Sequence, residues 1–345
     1  MTALPSVTPP SSAVRADAQA RLAGLATPPG ALGRLGDLAV HLAAMQGQVP
    51  PAPLDRVRVV IFAGDHGVAD HGVSAFPKAI TGGMVRTFLA GRAGVSVLAA
   101  QHGVSVRVLD LGVEWTDDSG IPAEVKKFKV RDGSGAIHLE DALTAAETAR
   151  AIAAGETVAA QEIAAGAQLL ISGDMGIGNT TPAAALVAAS FGLPASEVTG
   201  RGTGIDEAAL DHKTAVVQQA VDRVGDRAAD PVQTLAALGS ADLAASAGFM
   251  AAAARAGVPV LLDGVISVAA AVMADRLAPG AAAWFVAGHR STEPAQSLAL
   301  DKLGLEPLLD LGMRLGEGSG AVAAVPIVRS AALLLSEVAL LSDLQ

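Results

Sequence analysis

Five short apolar runs each lead into a glycine-bearing turn, and Ala-rich helical stretches lie between them. The runs are Val57–Phe62 before Ala63-Gly64-Asp65-His66, Val104–Leu109 before Asp110-Leu111-Gly112, and Leu169–Ser172 before Gly173-Asp174. Val258–Leu262 before Asp263-Gly264 and Ala282–Val286 before Ala287-Gly288-His289 complete the set. Repeated strand–turn–helix units predict an α/β fold with a mostly parallel sheet and helices on both faces. Ligands of such sheets sit beyond the carboxyl ends of the strands. Nearly every polar motif of this chain falls there.

The two chain ends stand outside that alternation. Ala13–Leu25 and Ala31–Met45 read as helices separated by Pro28-Pro29-Gly30, and Leu32, Leu35, Leu38 and Leu42 give the second an apolar face. With the apolar stretch of roughly Ala321–Leu341, they predict a small helical domain, residues 13–50 plus 321–345, beside a large catalytic domain, residues 51–320. Residues 1–12, rich in Pro, Ser and Thr, read as a disordered lead and lack the pattern of a signal peptide.

Composition narrows the function classes. The chain has 345 residues, 51% of them apolar but only 3% aromatic, so Ala, Leu, Val and Ile must fill its core. A net charge of -10 opposes binding to nucleic acids or anionic membranes, whose phosphates draw on Lys and Arg. Asp275, Arg276, Arg329 and Glu337 interrupt the longest apolar stretches, so no membrane span is expected. Without cysteine, disulfides, thiolate nucleophiles and Cys-ligated zinc are excluded. A cytoplasmic enzyme acting on small molecules is the expectation.

The strongest local motif is Gly173-Asp174-Met175-Gly176-Ile177-Gly178-Asn179-Thr180-Thr181-Pro182, followed by AAALVAAS. Its glycines let backbone N–H groups converge, Thr180 or Thr181 can cap a helix, and Pro182 fits the first helical turn. A helix N-terminus there suits a phosphate; a tight ligand-free turn is the plain alternative. The spacing resembles a Walker A loop, but Asn179 stands where its lysine belongs, which counts against ATP hydrolysis. Gly200-Arg201-Gly202-Thr203-Gly204, with Lys213 beyond it, reads as a flexible loop that could supply the missing cation. His66 and His71 more readily order backbone or substrate than bind a metal, since few carboxylates accompany them. His289-Arg290-Ser291-Thr292-Glu293-Pro294 looks like a helix start capped by Ser291 or Thr292.

Glu317 lies between glycines in Leu315-Gly316-Glu317-Gly318-Ser319-Gly320. A desolvated carboxylate there would have a raised pKa and suit a general base. An acid favourably placed at the N-terminus of the next helix explains the same residue equally well.

Taken together, these motifs resemble the nicotinate-nucleotide–dimethylbenzimidazole phosphoribosyltransferase family of cobalamin lower-ligand activation. The resemblance runs through Pro28–Leu35, FAGDHGVADHGVSAFP at Phe62–Pro77, GDMGIGNTTPAAAL at Gly173–Leu186 and GRGTGID at Gly200–Asp206 with Lys213. It continues through DGVISVAAA at Asp263–Ala271, AGHRSTEP at Ala287–Pro294 and LGMRLGEGSGA at Leu311–Ala321. Gly133-Ser134-Gly135-Ala136 and Ser240 depart from the family pattern. The resemblance implies phosphoribosyl transfer from nicotinate mononucleotide to a benzimidazole base, with inversion at C1′. It implies Glu317 as the catalytic base, Asp174 as a second active-site acid, and no metal or cofactor. Nucleotide phosphate would lie against Met175, Gly176, Ile177, Gly178, Asn179 and Thr180, faced by Gly202, Thr203, Lys213, Asp263 and Ser291. The base slot would be lined by Ser74, Phe76, Met84 and Leu315. The family also implies a homodimer with shared active sites.

Overall fold

The computed structural model describes residues 6–344. Helices α1 (Ser12–Ala23) and α2 (Gly33–Gln46) precede strand β1 (Val57–Gly64), which is followed by α3 (Ile80–Leu89) and α4 (Gly94–Gln101). Strand β2 (Ser105–Gly112), α5 (Ala123–Lys126) and α6 (Ala145–Ala164) lead to β3 (Leu169–Met175). Then come α7 (Thr180–Phe191), α8 (Ala195–Val198), α9 (Glu207–Val224), α10 (Pro231–Leu238) and α11 (Ala241–Arg255). The chain ends with β4 (Val260–Leu262), α12 (Val265–Leu277), β5 (Phe285–Ala287), α13 (Pro294–Leu303) and α14 (Ser319–Glu337).

The strands form one parallel sheet in the order β2-β1-β3-β4-β5. Side chains alternate across a strand, and β3 displays both of its covers. Ser172 meets Ser246 of α11 at 2.6 Å between hydroxyls. The next residue, Gly173, lies against the Glu317 backbone ahead of α14. Phe62 of β1 packs edge-on to Phe249 of α11, with ring centroids 5.5 Å apart. With so few aromatics, close packing comes from small residues. A Cβ on Gly155 of α6 would lie 1.8 Å from the Ala245 carbonyl oxygen, so α6 and α11 approach at a distance no larger residue permits.

Several boundaries differ from the sequence expectation. β3 runs three residues further, so Gly173, Asp174 and Met175 are strand, not loop. The residues before β5, Ala281–Trp284, form a 3-10 turn and the strand is only Phe285–Ala287. The lead expected to be disordered to Ser12 is ordered over its described part: Val7 N donates to Pro279 O, Trp284 Nε1 donates to Thr8 O, and Ser11 caps α1. Its first five residues lie outside the described residues. α14 is long and apolar enough to cross a membrane by length and composition. Here it packs on α2, α4 and β3, and its apolar face, including Val322, Val325, Val328 and Leu335, is buried.

Candidate active site

The carboxyl ends of β3 and β4, the loop after β5 and the turn before α14 border a cavity of about 320 Å³. Asp174, Met175, Gly176, Ile177, Gly178, Asn179 and Thr180 form one wall of it. Gly202, Thr203 and Ser291 continue the lining, with Gly202 close to Thr180, while Asp263 and Glu317 lie at the sheet end. Ser74, Phe76 and Leu315 line it too, and Phe76 and Leu315 are each about half exposed. Of the residues expected at the site, Lys213 and Met84 do not line the cavity. Met84 sits on α3, partly buried against the apolar core.

The phosphate-suited wall is built where β3 stops. The chain turns through Gly176 and Gly178, the latter at φ 87, and α7 opens at Thr180. Neither threonine caps it. Asn179 occupies the cap position without a side-chain cap bond, because its Nδ2 donates to Asp174 Oδ1 at 2.8 Å. Pro182 falls in the first turn as expected. The first-turn N–H groups and the helix dipole make this end attractive to an anion.

The Gly200–Gly204 loop is not loose. Gly202 N donates to Glu293 Oε1 at 2.8 Å, and Arg314 Nη1 donates to Gly202 O at 3.1 Å. Thr203 Oγ1 accepts from Ala75 N at 3.0 Å. Lys213, fully buried on α9, clamps both segments from behind: its Nζ donates to Thr180 Oγ1 at 2.7 Å and to Gly200 O at 2.9 Å. Burial pulls its pKa down to about 8, opposed by the Glu293 carboxylate. Glu293 and Arg314 were missed by sequence reading. Ser291 and Thr292 looked like the caps of α13, but Glu293 takes the cap position and spends its carboxylate on Gly202.

Glu317 is the one non-glycine residue with positive φ among the described residues, at 66°. An L-residue in that region costs about 1–2 kcal/mol, so the turn is held by its surroundings. The side chain is buried, 5% exposed, and its Oε2 accepts from Val95 N at 3.1 Å in the first turn of α4. Burial pushes its pKa up, the Asp263 charge adds to that, and the Val95 N–H opposes it. The carboxylate thus serves the N-terminus of α4 and not that of α14, whose first N–H groups donate to Asp263.

Asp174 is nearly enclosed. Burial and the carboxylate of Asp242 on α11 push its pKa well above the ordinary carboxylate range. Asp242 Oδ2 lies 3.2 Å from His66 Nε2. His66 thus serves this acidic pair, while His71 stacks edge-on against His138 at 4.5 Å. Among the described residues no group of three or more His, Asp or Glu is arranged to hold a metal ion. The two departures from the family pattern are both structural here. Ser134 N donates to Asp65 O and its carbonyl accepts from Gly67 N; Ser240 caps α11.

Comparison with known proteins decides the family. Residues 7–344 match the family model described as Phosphoribosyltransferase. Nicotinate-nucleotide–dimethylbenzimidazole phosphoribosyltransferase of Mycolicibacterium paratuberculosis is 54% identical over 335 residues, covering 97% of this chain and 95% of the relative. The chain belongs to this phosphoribosyltransferase family. It is an enzyme of the pentosyltransferase class. The Mycobacterium tuberculosis protein of the same name is 52% identical over 337 residues, 98% of this chain and 92% of its own. The crystal structure of CobT from Thermus thermophilus superposes with a TM-score of 0.89 at 45% identity, covering 94% of this chain and 96% of that one.

Proposed function

We propose that the enzyme transfers the phosphoribosyl group of nicotinate mononucleotide to 5,6-dimethylbenzimidazole or a related base. The products are α-ribazole 5′-phosphate and nicotinate, with inversion at C1′. The observation that carries this reading is one cavity holding both a helix N-terminus framed by glycines and the buried, high-pKa carboxylate of Glu317.

The reaction needs few groups. The phosphate rests at the α7 N-terminus against the pinned Gly202–Thr203 loop. A ring nitrogen of the base attacks C1′ from the face opposite nicotinate. The C1′–N bond to nicotinate breaks, and its electron pair neutralises the pyridinium, so the leaving group needs no proton. The other nitrogen of the attacking ring carries a proton, which Glu317 accepts. Orientation of two rings and one phosphate can supply up to about 7–11 kcal/mol, and a positioned base about a hundredfold or more. Asp174 lines the same cavity, and burial and the Asp242 carboxylate raise its pKa.

The test is incubation with nicotinate mononucleotide and a panel of benzimidazoles and phenols, following nicotinate by mass spectrometry. Release with a benzimidazole is expected; no release with any base rejects the reading. Phe76 and Leu315 give the cavity exposed apolar surface, so 5,6-dimethyl substitution should matter by no more than about 1–3 kcal/mol in kcat/KM.

Lys213→Met keeps the apolar stem but removes the clamp between Thr180 and Gly200. The dissociation constant for nicotinate mononucleotide should rise about tenfold, the equivalent of about 1.4 kcal/mol. An unchanged constant would mean that the Thr180–Gly200 clamp does not shape the phosphate site.

A further inference from the structure

We infer that Asp263 is the positioning residue of the base, its carboxylate holding the left-handed Glu317 turn through three backbone N–H bonds. Asp263 follows β4 and is buried. Its Oδ2 accepts from Gly318 N at 3.0 Å, and its Oδ1 accepts from Gly320 N at 2.8 Å and Ala321 N at 3.0 Å. Gly318 is the residue after Glu317 and has no side chain with which to cap α14. The orphan amides of that helix are thus capped by a carboxylate from a different strand.

The anchor is itself fixed. Asp263 N donates to Ser267 Oγ at 3.2 Å on α12, and Gln296 Nε2 donates to Asp263 O at 2.9 Å from α13. His289 closes the other side, with Nε2 3.3 Å from Asp263 Oδ1 and its ring against Gly320. A non-glycine residue keeps positive φ only where neighbours over-determine it. Here Gly173 presses on the Glu317 carbonyl from the sheet, and Asp263 holds the next residue from the far side. Both carboxylate oxygens are engaged by protein amides, which leaves Asp263 a smaller part in holding nucleotide than its place in the motif implied.

The inference rests on Glu317 acting as the base, and the experiment separates the two. The titratable groups against this turn are Glu317, Asp263 and His289. In Asp263→Asn the amide presents N–H to at least one backbone donor and removes a negative neighbour of Glu317. The kcat should fall at least about tenfold, with KM for nicotinate mononucleotide changed less than about threefold. The acid limb of kcat against pH should move to lower pH. Asp263→Glu keeps the charge but misplaces it, so kcat should fall with the limb unmoved.

A raised KM with kcat intact would make Asp263 a nucleotide ligand, and a kcat loss with identical pH profiles in both variants would make it a general structural support. Either overturns the inference. Hydrogen exchange at the amides of Gly318, Gly320 and Ala321 in the wild-type enzyme tests the anchor without mutation. Protection is expected, and exchange as fast as in exposed loops overturns it. A fully active Glu317→Gln sinks the base itself; an inactive Glu317→Gln beside wild-type behaviour in Asp263→Asn sinks only the anchor.

Discussion

Glu317→Gln is expected to lower turnover at least about a hundredfold while leaving the fold and mononucleotide binding in place. The amide fills the same volume and can still accept from Val95 N, but it cannot take a proton from the incoming ring. The wild-type enzyme should lose activity as pH falls through the Glu317 pKa, a limb that burial places above the ordinary glutamate value of 4.5. Stability should move the opposite way to activity. A carboxyl with a raised folded pKa binds protons more tightly folded than unfolded, so its contribution to stability drops as pH rises from the unfolded to the folded pKa. At pH 7–8 the variant should therefore melt about 1–3 °C above wild type, and the gap should close below about pH 4. Near-wild-type turnover would sink the base assignment. A gap that ignores pH would deny that a buried charge is being removed.

The parts of the site that could be read from sequence are those where one short segment does the whole job. The α7 entry is such a case: glycines, Asn179 and Pro182 are contiguous, and periodicity marks the helix beyond. Glu317 is another, flagged by glycines on both sides. Its left-handed φ was hidden, because glycine is the usual sign of that conformation and Glu317 is not one. What stayed illegible depends on residues far apart in the chain. Nothing local in Asp242 or His66 announces that they face Asp174. Glu293 looked like part of a helix start, and only the return of the 200–204 loop reveals its carboxylate on Gly202. Lys213 was placed at the phosphate by motif, but its register on α9 sets it behind Thr180. The last two strands fall where the sequence puts them but with other bounds, because three residues each are too few to mark an end.

Gly173→Ala is expected to be as damaging as loss of the base, although residue 173 has no side chain and no proton to give. A Cβ there would lie 2.3 Å from the Glu317 carbonyl oxygen and 3.2 Å from Ile61 Cγ1. Ordinary contact begins near 3.4 Å, so the Glu317 backbone would have to retreat by about 1 Å. The obstacle is backbone, not the end of a flexible side chain, and the turn is tied in place where Gly318 N donates to Asp263 Oδ2. The strain is not free to spread into β3 either, because its neighbours β1 and β4 fix its register. A displacement of that size at a catalytic group can cost about a hundredfold. Turnover should fall by about that factor, with overpacking costing about 1–3 kcal/mol of stability. Gly83→Ala is the control: Gly83 lies on the exposed face of α3 with open space around it. It should gain up to about 1 kcal/mol from helix propensity and leave turnover unchanged. Wild-type kcat in Gly173→Ala would mean that the Glu317 turn tolerates about 1 Å of movement, and that reach from a flexible side chain, not a fixed backbone, places the carboxylate.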